Sequence, residues 1–248
     1  MEPISFYDYF KFKPINKYLI ESLVNQSLYF PKPAQLNDPF DCNLSILKLL
    51  KYAACTAEDE NKSRLLAVSQ DEALLENLEE KIRDLGVCSF SLLKKFDKPL
   101  QWAHYADNHK GVCLLYRFPT TFLNNPNEII GVDKVEYGQN RLYSRLSDWV
   151  SFPPTPQVNN QFLIDFAKIY LTTKSIAWKI EEEARIIRPT SGPFAIPQIL
   201  KQVVFGIKTP ESDIRLIKML AEKHSGCTKF YKMIPAHNKA FGITTEKV

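Results

Sequence analysis

The run Trp178-Lys179-Ile180-Glu181-Glu182-Glu183-Ala184-Arg185 sets three consecutive carboxylates between an indole and a guanidinium. Neighbouring carboxylates raise one another's proton affinity unless a cation joins them, and Arg185 is the obvious partner. In extended backbone Glu181, Glu183 and Arg185 share one face, with Glu182 on the other. Two kinds of chemistry are open to that face. It can be a charged strand end held by a structural Glu–Arg pair, or it can lend oxygen ligands to a metal site completed from elsewhere.

The loop Asn37-Asp38-Pro39-Phe40-Asp41 is the second candidate. Asn37 and Asp38 suit a turn before Pro39, because their short side chains bond local backbone. As a metal site the loop supplies Asp38 and Asp41 and needs Glu181 and Glu183 as well, a combination that no spacing in the chain demands. The third candidate is the stretch from Leu100 to Phe118. Trp102 and Tyr105 lie three apart, Tyr105 and His109 four apart, so each pair shares a helical face. Such aromatics fill a core with satisfied polar tips, or form a stacking wall for a flat ring. His104 and His109 are five apart, which is not the spacing of two ligands on one helix face.

Composition bounds the reaction classes. Glycine is scarce, at 8 residues, and neither G-x-G-x-x-G nor G-x-x-x-x-G-K-[ST] occurs, which argues against Rossmann and P-loop nucleotide binding. A formal charge of +4 is too mild to imply nucleic acid by itself. The five cysteines, Cys42, Cys55, Cys88, Cys113 and Cys227, form no paired metal spacing, and Cys88 and Cys113 sit in apolar runs. No metal is expected. The aromatic, acidic start lacks the pattern of a signal peptide, and no apolar stretch approaches a membrane span. The expectation is a reduced, cytoplasmic protein without a membrane partner.

Periodicity then supplies the elements that must position these residues. An aromatic-polar alternation predicts a strand ending at Pro14, followed by a short helix and a strand up to Phe30. Residues 44 to 86 read as a long, mostly polar helical region, with Thr56 as an N-cap ahead of Glu58 and Asp59. Strands are predicted at 87–91, 111–118, 129–138, 184–189, 202–207, 229–236 and 240–247, with a loop at 152–160. A helix over 161–174 carries Phe162, Ile164, Phe166, Ile169 and Leu171 on a broad apolar face. Another spans 211–226, with acidic residues first and Gly226 last. The fold class is α+β: one domain over residues 1–248, a split, mainly antiparallel sheet, and a helical insertion or lid at about 44–86.

Three motifs, N-D-P-F-D, W-x-x-Y-x-x-x-H-x-G and W-x-x-E-x-E-x-R, together resemble the bacterial domain of unknown function 2971 family, with a likeness extending over almost the whole chain. That resemblance implies no established activity. More loosely, the order of strand, Tyr-bearing helix, apolar strand and late Glu-bearing strand is similar to the core of the ADP-ribosyltransferases. The likeness implies that Cys88-Ser89-Phe90-Ser91 is the first of those strands, with Ser89 and Trp102 beside a bound nucleotide. It makes Tyr105 the residue stacking on nicotinamide, and Glu183, or Glu181 beside it, the catalytic carboxylate. Tyr7 and Tyr9 stand where that superfamily places a His or Arg on the nicotinamide ribose. Asn37, Asp38, His109 and Arg185 complete the implied cofactor contacts.

The implied chemistry is cleavage of the nicotinamide–ribose bond of NAD through an oxocarbenium-like state, stabilised by the carboxylate. ADP-ribose then passes to a protein or nucleic-acid acceptor, as in a toxin or phage-defence effector. The alternative is a noncatalytic sensor that binds a nucleotide or a partner, with the glutamates engaged by Arg185. A metal-dependent nuclease is a third reading, and it lacks the D…E-x-K pattern.

Overall fold

A computed structural model of the chain describes residues 5–92, 96, 98–151, 160–196, 199–236 and 242–248. The first half runs β1 (Phe6–Lys13), α1 (Lys17–Val24), β2 (Ser27–Phe30), α2 (Ile46–Thr56), α3 (Asp59–Gln70), α4 (Glu72–Arg83) and β3 (Gly86–Ser91). Next come α5 (Pro99–Tyr105), β4 (Val112–Pro119), α6 (Thr120–Leu123), β5 (Gly131–Lys134), β6 (Glu136–Tyr137), α7 (Gln139–Ser151) and α8 (Asn160–Leu171). The remainder is β7 (Thr173–Lys174), β8 (Glu183–Arg188), β9 (Gly192–Ala195), β10 (Leu200–Phe205), α9 (Glu211–Ser225), β11 (Phe230–Pro235) and β12 (Ile243–Lys247). Single 3-10 segments occupy Pro33–Gln35 and Ile176–Glu181. The chain is α+β, and its strands pair mainly antiparallel. It divides into two compact units, each assembled from separated segments.

The first unit comprises residues 1–29, 89–124 and 193–248. Its strands run in the order β12-β11-β10-β4-β1. β1 and β4 pair antiparallel along their whole length, from Phe6 opposite Pro119 to Lys13 opposite Val112. β10 and β11 are parallel, and the connection between them carries α9, since parallel neighbours need a crossover. α9 has Glu211 and Asp213 in its first turn and ends at Gly226, whose φ of 63° is the left-handed cap that glycine takes most readily. One cluster of rings joins Tyr9, Phe90, Tyr116 and Phe118, with Tyr9 and Phe90 centroids 5.5 Å apart. Phe12, Trp102, Ala106, Cys113, Val204 and Met233 form a separate core cluster.

The second unit comprises residues 30–88 and 125–192. Antiparallel pairing sets β5 beside β8, with Gly131 opposite Ile187 and Asp133 opposite Arg185. Its core is mostly helical: Leu50, Ala53, Leu65, Leu78, Leu146, Phe166 and Leu171 are buried together with Ile187 of β8. Trp149 stacks on Phe162 at 4.1 Å and donates its indole N–H to the Phe162 carbonyl.

Several elements depart from the sequence expectations. Thr56 ends α2 instead of capping the next helix, its hydroxyl donating to the Ala53 carbonyl. The helical region over 44–86 is three helices, and Asp71 caps the last by accepting from the Leu74 N–H at 3.0 Å. The predicted strand over 129–138 is two short pieces, β5 and β6. The buried stripe of α8 is Leu163, Phe166, Ala167, Tyr170 and Leu171, shifted from the predicted face. Helix α7 follows from Leu142, Leu146, Trp149 and Val150, all buried, at helical spacing. The predicted loop at 152–160 falls almost wholly outside the described residues, as do the first two positions of the predicted strand at 240–247.

Candidate functional site

Arg185 lies at the centre of a buried ion cluster wholly inside the second unit. It sits in β8, only 1% exposed, and its guanidinium reaches two carboxylates at once. Nε donates to Glu183 Oε1 at 2.6 Å and Nη2 to Glu183 Oε2 at 3.2 Å. The other fork meets Asp41, with Nη1 to Oδ1 at 3.0 Å and Nη2 to Oδ2 at 2.6 Å. Nη1 also donates to the Leu171 carbonyl at 2.7 Å and touches Cys42 Sγ at 3.0 Å. A planar five-donor guanidinium fits this arrangement where a lysine ammonium would not.

Lys174, closing β7, completes the cluster. Its ammonium lies 2.7 Å from Glu181 Oε2, 3.3 Å from Glu183 Oε2 and 3.3 Å from Asp41 Oδ2. Two cations thus tie three carboxylates together. Burial opposes both charges, yet the surrounding anions outweigh it and hold both basic groups above their ordinary pKa values. Glu183, Asp41 and Glu181 do so for Lys174; Glu183 and Asp41 do so for Arg185. Burial also pushes the Cys42 thiol up, so it stays protonated and donates to Asp41 Oδ1 at 3.2 Å. Beside them, burial pushes the Tyr137 phenol up to about 12, against the backbone N–H of Glu183, which donates to its oxygen at 2.9 Å.

The local backbone that aims these groups differs from a plain strand. Glu181 ends a 3-10 segment, Glu182 adopts left-handed φ of 46°, and only Glu183 begins β8. Extended geometry therefore does not explain why Glu181 and Glu183 converge. The kink at Glu182 does: it turns that side chain to solvent and leaves the flanking two directed at Lys174. Trp178 lies on the same 3-10 segment. Its indole N–H donates to Asp38 Oδ2 at 2.6 Å, and Lys174 Nζ lies 5.0 Å from the ring centroid. Asp38 Oδ1 accepts from the Phe40 N–H at 2.9 Å, closing the turn. Asn37 is exposed nearby in sequence.

Two of the three motifs are thus one structure: N-D-P-F-D supplies Asp38 and Asp41 to the Trp178, Glu181, Glu183 and Arg185 of the other. Sequence reasoning missed Lys174, Cys42 and Tyr137. Lys174 carried no signal beyond ending an amphipathic stretch. Among the described residues no His, Cys, Asp and Glu group is arranged to hold a metal ion.

The remaining candidates belong to the first unit. Trp102 is fully buried, its indole N–H donating to the Phe96 carbonyl at 2.8 Å and its ring edge-on to Phe12. Tyr105 is half-buried against that core and lies edge-on to His104 at 6.3 Å. Tyr9 is buried among rings and Tyr7 is exposed. The Ser89 carbonyl accepts from Lys11 Nζ at 2.6 Å. His109 is the last of three consecutive left-handed residues, Asp107, Asn108 and His109, with φ of 46°, 51° and 71°. Burial and nearby Lys208 lower its pKa.

That turn has a structural purpose. It returns the chain so that the N–H groups of His109 and Gly111 reach the carbonyls of Trp102 and Ala106. A Cβ at Gly111 would stand 2.2 Å from the Lys13 carbonyl oxygen, and one at Gly206 2.1 Å from that of His109. Gly206 N–H and the Thr209 hydroxyl both donate to the Gly111 carbonyl, and Lys208 N–H to that of His109. The H-x-G end of the motif is therefore a backbone dock for the segment Gly206–Thr209.

No curated protein and no solved structure matches the chain. The family match is narrower than the near-whole-chain likeness of the motifs, taking in W-x-x-Y-x-x-x-H-x-G and W-x-x-E-x-E-x-R and leaving N-D-P-F-D outside. Over residues 101–186 the chain is similar to the family described as Protein of unknown function (DUF2971).

Proposed function

We propose that the chain is a noncatalytic recognition domain, in which the buried cluster holds a binding rim for a nucleotide or a protein partner. The observation that carries this reading is the engagement of Glu183: one oxygen meets Arg185 Nε at 2.6 Å, the other meets Arg185 Nη2 and Lys174. A carboxylate so held is a strut. The rim consists of the residues that the strut positions, Phe40 at 72% exposed, Ile176 and Ile180 exposed, and the half-buried indole of Trp178. Large apolar side chains left in water beside a rigid polar turn are the usual composition of a binding surface.

The competing reading is an NAD-cleaving, ADP-ribosyltransferase-like enzyme with Glu183 or Glu181 as the catalytic carboxylate. It draws on the order of the motifs, and it requires substrate to displace Arg185 or Lys174 from a glutamate. Incubation of the protein with NAD, following nicotinamide release, separates the two. The recognition reading predicts saturable ligand binding with no turnover, and binding that Phe40→Ala weakens without loss of the fold. Nicotinamide release by the parent that vanishes in a folded Glu183→Gln variant would establish the enzyme instead.

A further inference from the structure

The mild charge of the whole chain conceals a division. The segments of the first unit hold 17 basic and 9 acidic residues, a net +8, whereas those of the second hold 15 and 19, a net −4. The first unit also contains an open groove of about 530 Å³, to which Arg117, Lys201, His224 and Lys229 contribute basic side chains. No Asp or Glu occurs among the described residues that line it.

From these features we infer that the first unit binds single-stranded nucleic acid along this groove. The positions of the cations follow from the fold. Arg117 lies on β4 opposite Asp8 of β1 and holds it in a two-pronged pair, both bonds 2.7 Å. That pair fixes the guanidinium at the groove wall and offsets its charge. Between Leu200, opposite Tyr116, and Gln202, opposite Leu115, the register of β10 shifts at Lys201. An irregularity of this kind re-aims the side chain it carries, and Lys201 is exposed on the groove.

His224 and Lys229 flank the turn after α9. The carbonyl end of a helix ordinarily repels anions. Here Gly226 N–H and Cys227 N–H donate to the carbonyls of Glu222 and Ala221, so that end is partly satisfied within the chain.

The preference for a strand over an isolated phosphate comes from Phe6. It lies two residues from Asp8, on the same sheet face as Arg117, and is 53% exposed. A basic groove with an aromatic ring beside it is the arrangement by which single strands are held, phosphates on the cations and a base on the ring. This inference is independent of the recognition rim in the second unit.

Fluorescence anisotropy with labelled oligouridylate and oligothymidylate, on the full chain, tests it across a salt series. The parent should bind, with affinity falling steeply as salt rises. The exposed double variant Lys201→Glu/Lys229→Glu should weaken binding by at least about tenfold and flatten the salt slope. Lys17→Glu/Arg215→Glu carries the same net charge outside the groove and should stay within about threefold of the parent. Phe6→Ala should weaken binding while leaving the salt slope unchanged. Absence of binding at low salt, equal loss in the two double variants, equal affinity for a polyglutamate peptide, or preference for duplex would each overturn the proposal. Thermal unfolding of both double variants confirms that they remain folded.

Discussion

Arg185 and Asp41, 144 residues apart in the chain, meet through two parallel hydrogen bonds of 3.0 and 2.6 Å in a site closed to solvent. This pairing joins the loop after β2 to the strand β8 and makes the second unit's polar centre a matter of structure first. Removing one partner from such a pair leaves a charge buried without compensation, which costs about 3–5 kcal/mol. Asp41→Asn and Arg185→Met should each lose stability in that range in urea unfolding. The double variant should be less destabilised than the sum of the two, because the stranded charge disappears along with its partner. Additive losses would show that the pair is not coupled.

Lys174 makes the cluster sensitive to alkali. Its pKa is raised on folding by Glu183, Asp41 and Glu181 against the opposing effect of burial. A group raised in this way contributes fully below the ordinary lysine value, near about 10.4, and its contribution falls as pH rises toward the folded value. Chemical denaturation should show stability declining above about pH 10. Lys174→Met should be less stable near neutrality and should lose much of that decline. A variant with an unchanged alkaline profile would contradict the assignment.

The thiols report burial directly. Cys42, Cys88, Cys113 and Cys227 are buried and Cys55 is exposed, and burial pushes the Cys42, Cys113 and Cys227 thiols up. Only thiolate reacts readily with an alkylating reagent. Brief iodoacetamide treatment at pH 8 followed by mass spectrometry should place the label on Cys55, and denaturant should open the rest. Rapid labelling of Cys42 in the native protein would mean that the ion cluster opens to solvent.

At the left-handed turn, Gly206→Ala should destabilise by more than about 2 kcal/mol, because the new methyl group would meet the His109 carbonyl. Asn108→Gly should stay within about 1 kcal/mol of the parent, since relief of the φ of 51° is offset by glycine's freedom when unfolded. Thermal unfolding ranks the two. The reverse order would remove the docking role from the H-x-G motif.

How much of this was visible in the chain differs from feature to feature. The shared helical face of Trp102 and Tyr105 was legible in their spacing, and both pack against one core, Trp102 buried and Tyr105 half-buried. The Glu183–Arg185 pair was legible for a similar reason, being two apart in a strand. Asp41 joining Arg185 was not, since pairing across 144 residues depends on tertiary folding that no local period encodes. Lys174 was hidden in the same way. The kink at Glu182 was invisible because a glutamate carries no left-handed preference of its own; surrounding contacts impose it. Helix α7 was overlooked although Leu142, Leu146, Trp149 and Val150 follow its period. The net +4 hid a basic unit and an acidic one, because summing charge discards position.

The central claim is that Glu183 is a strut and not a reacting group. It is tested most directly by measuring nicotinamide release from NAD and urea stability together, in the parent and in Glu183→Gln. The account predicts no release from either protein and a loss of about 2–4 kcal/mol in the variant, as bonds to buried Arg185 and Lys174 weaken. Release by the parent, abolished in a variant of undiminished stability, would contradict it.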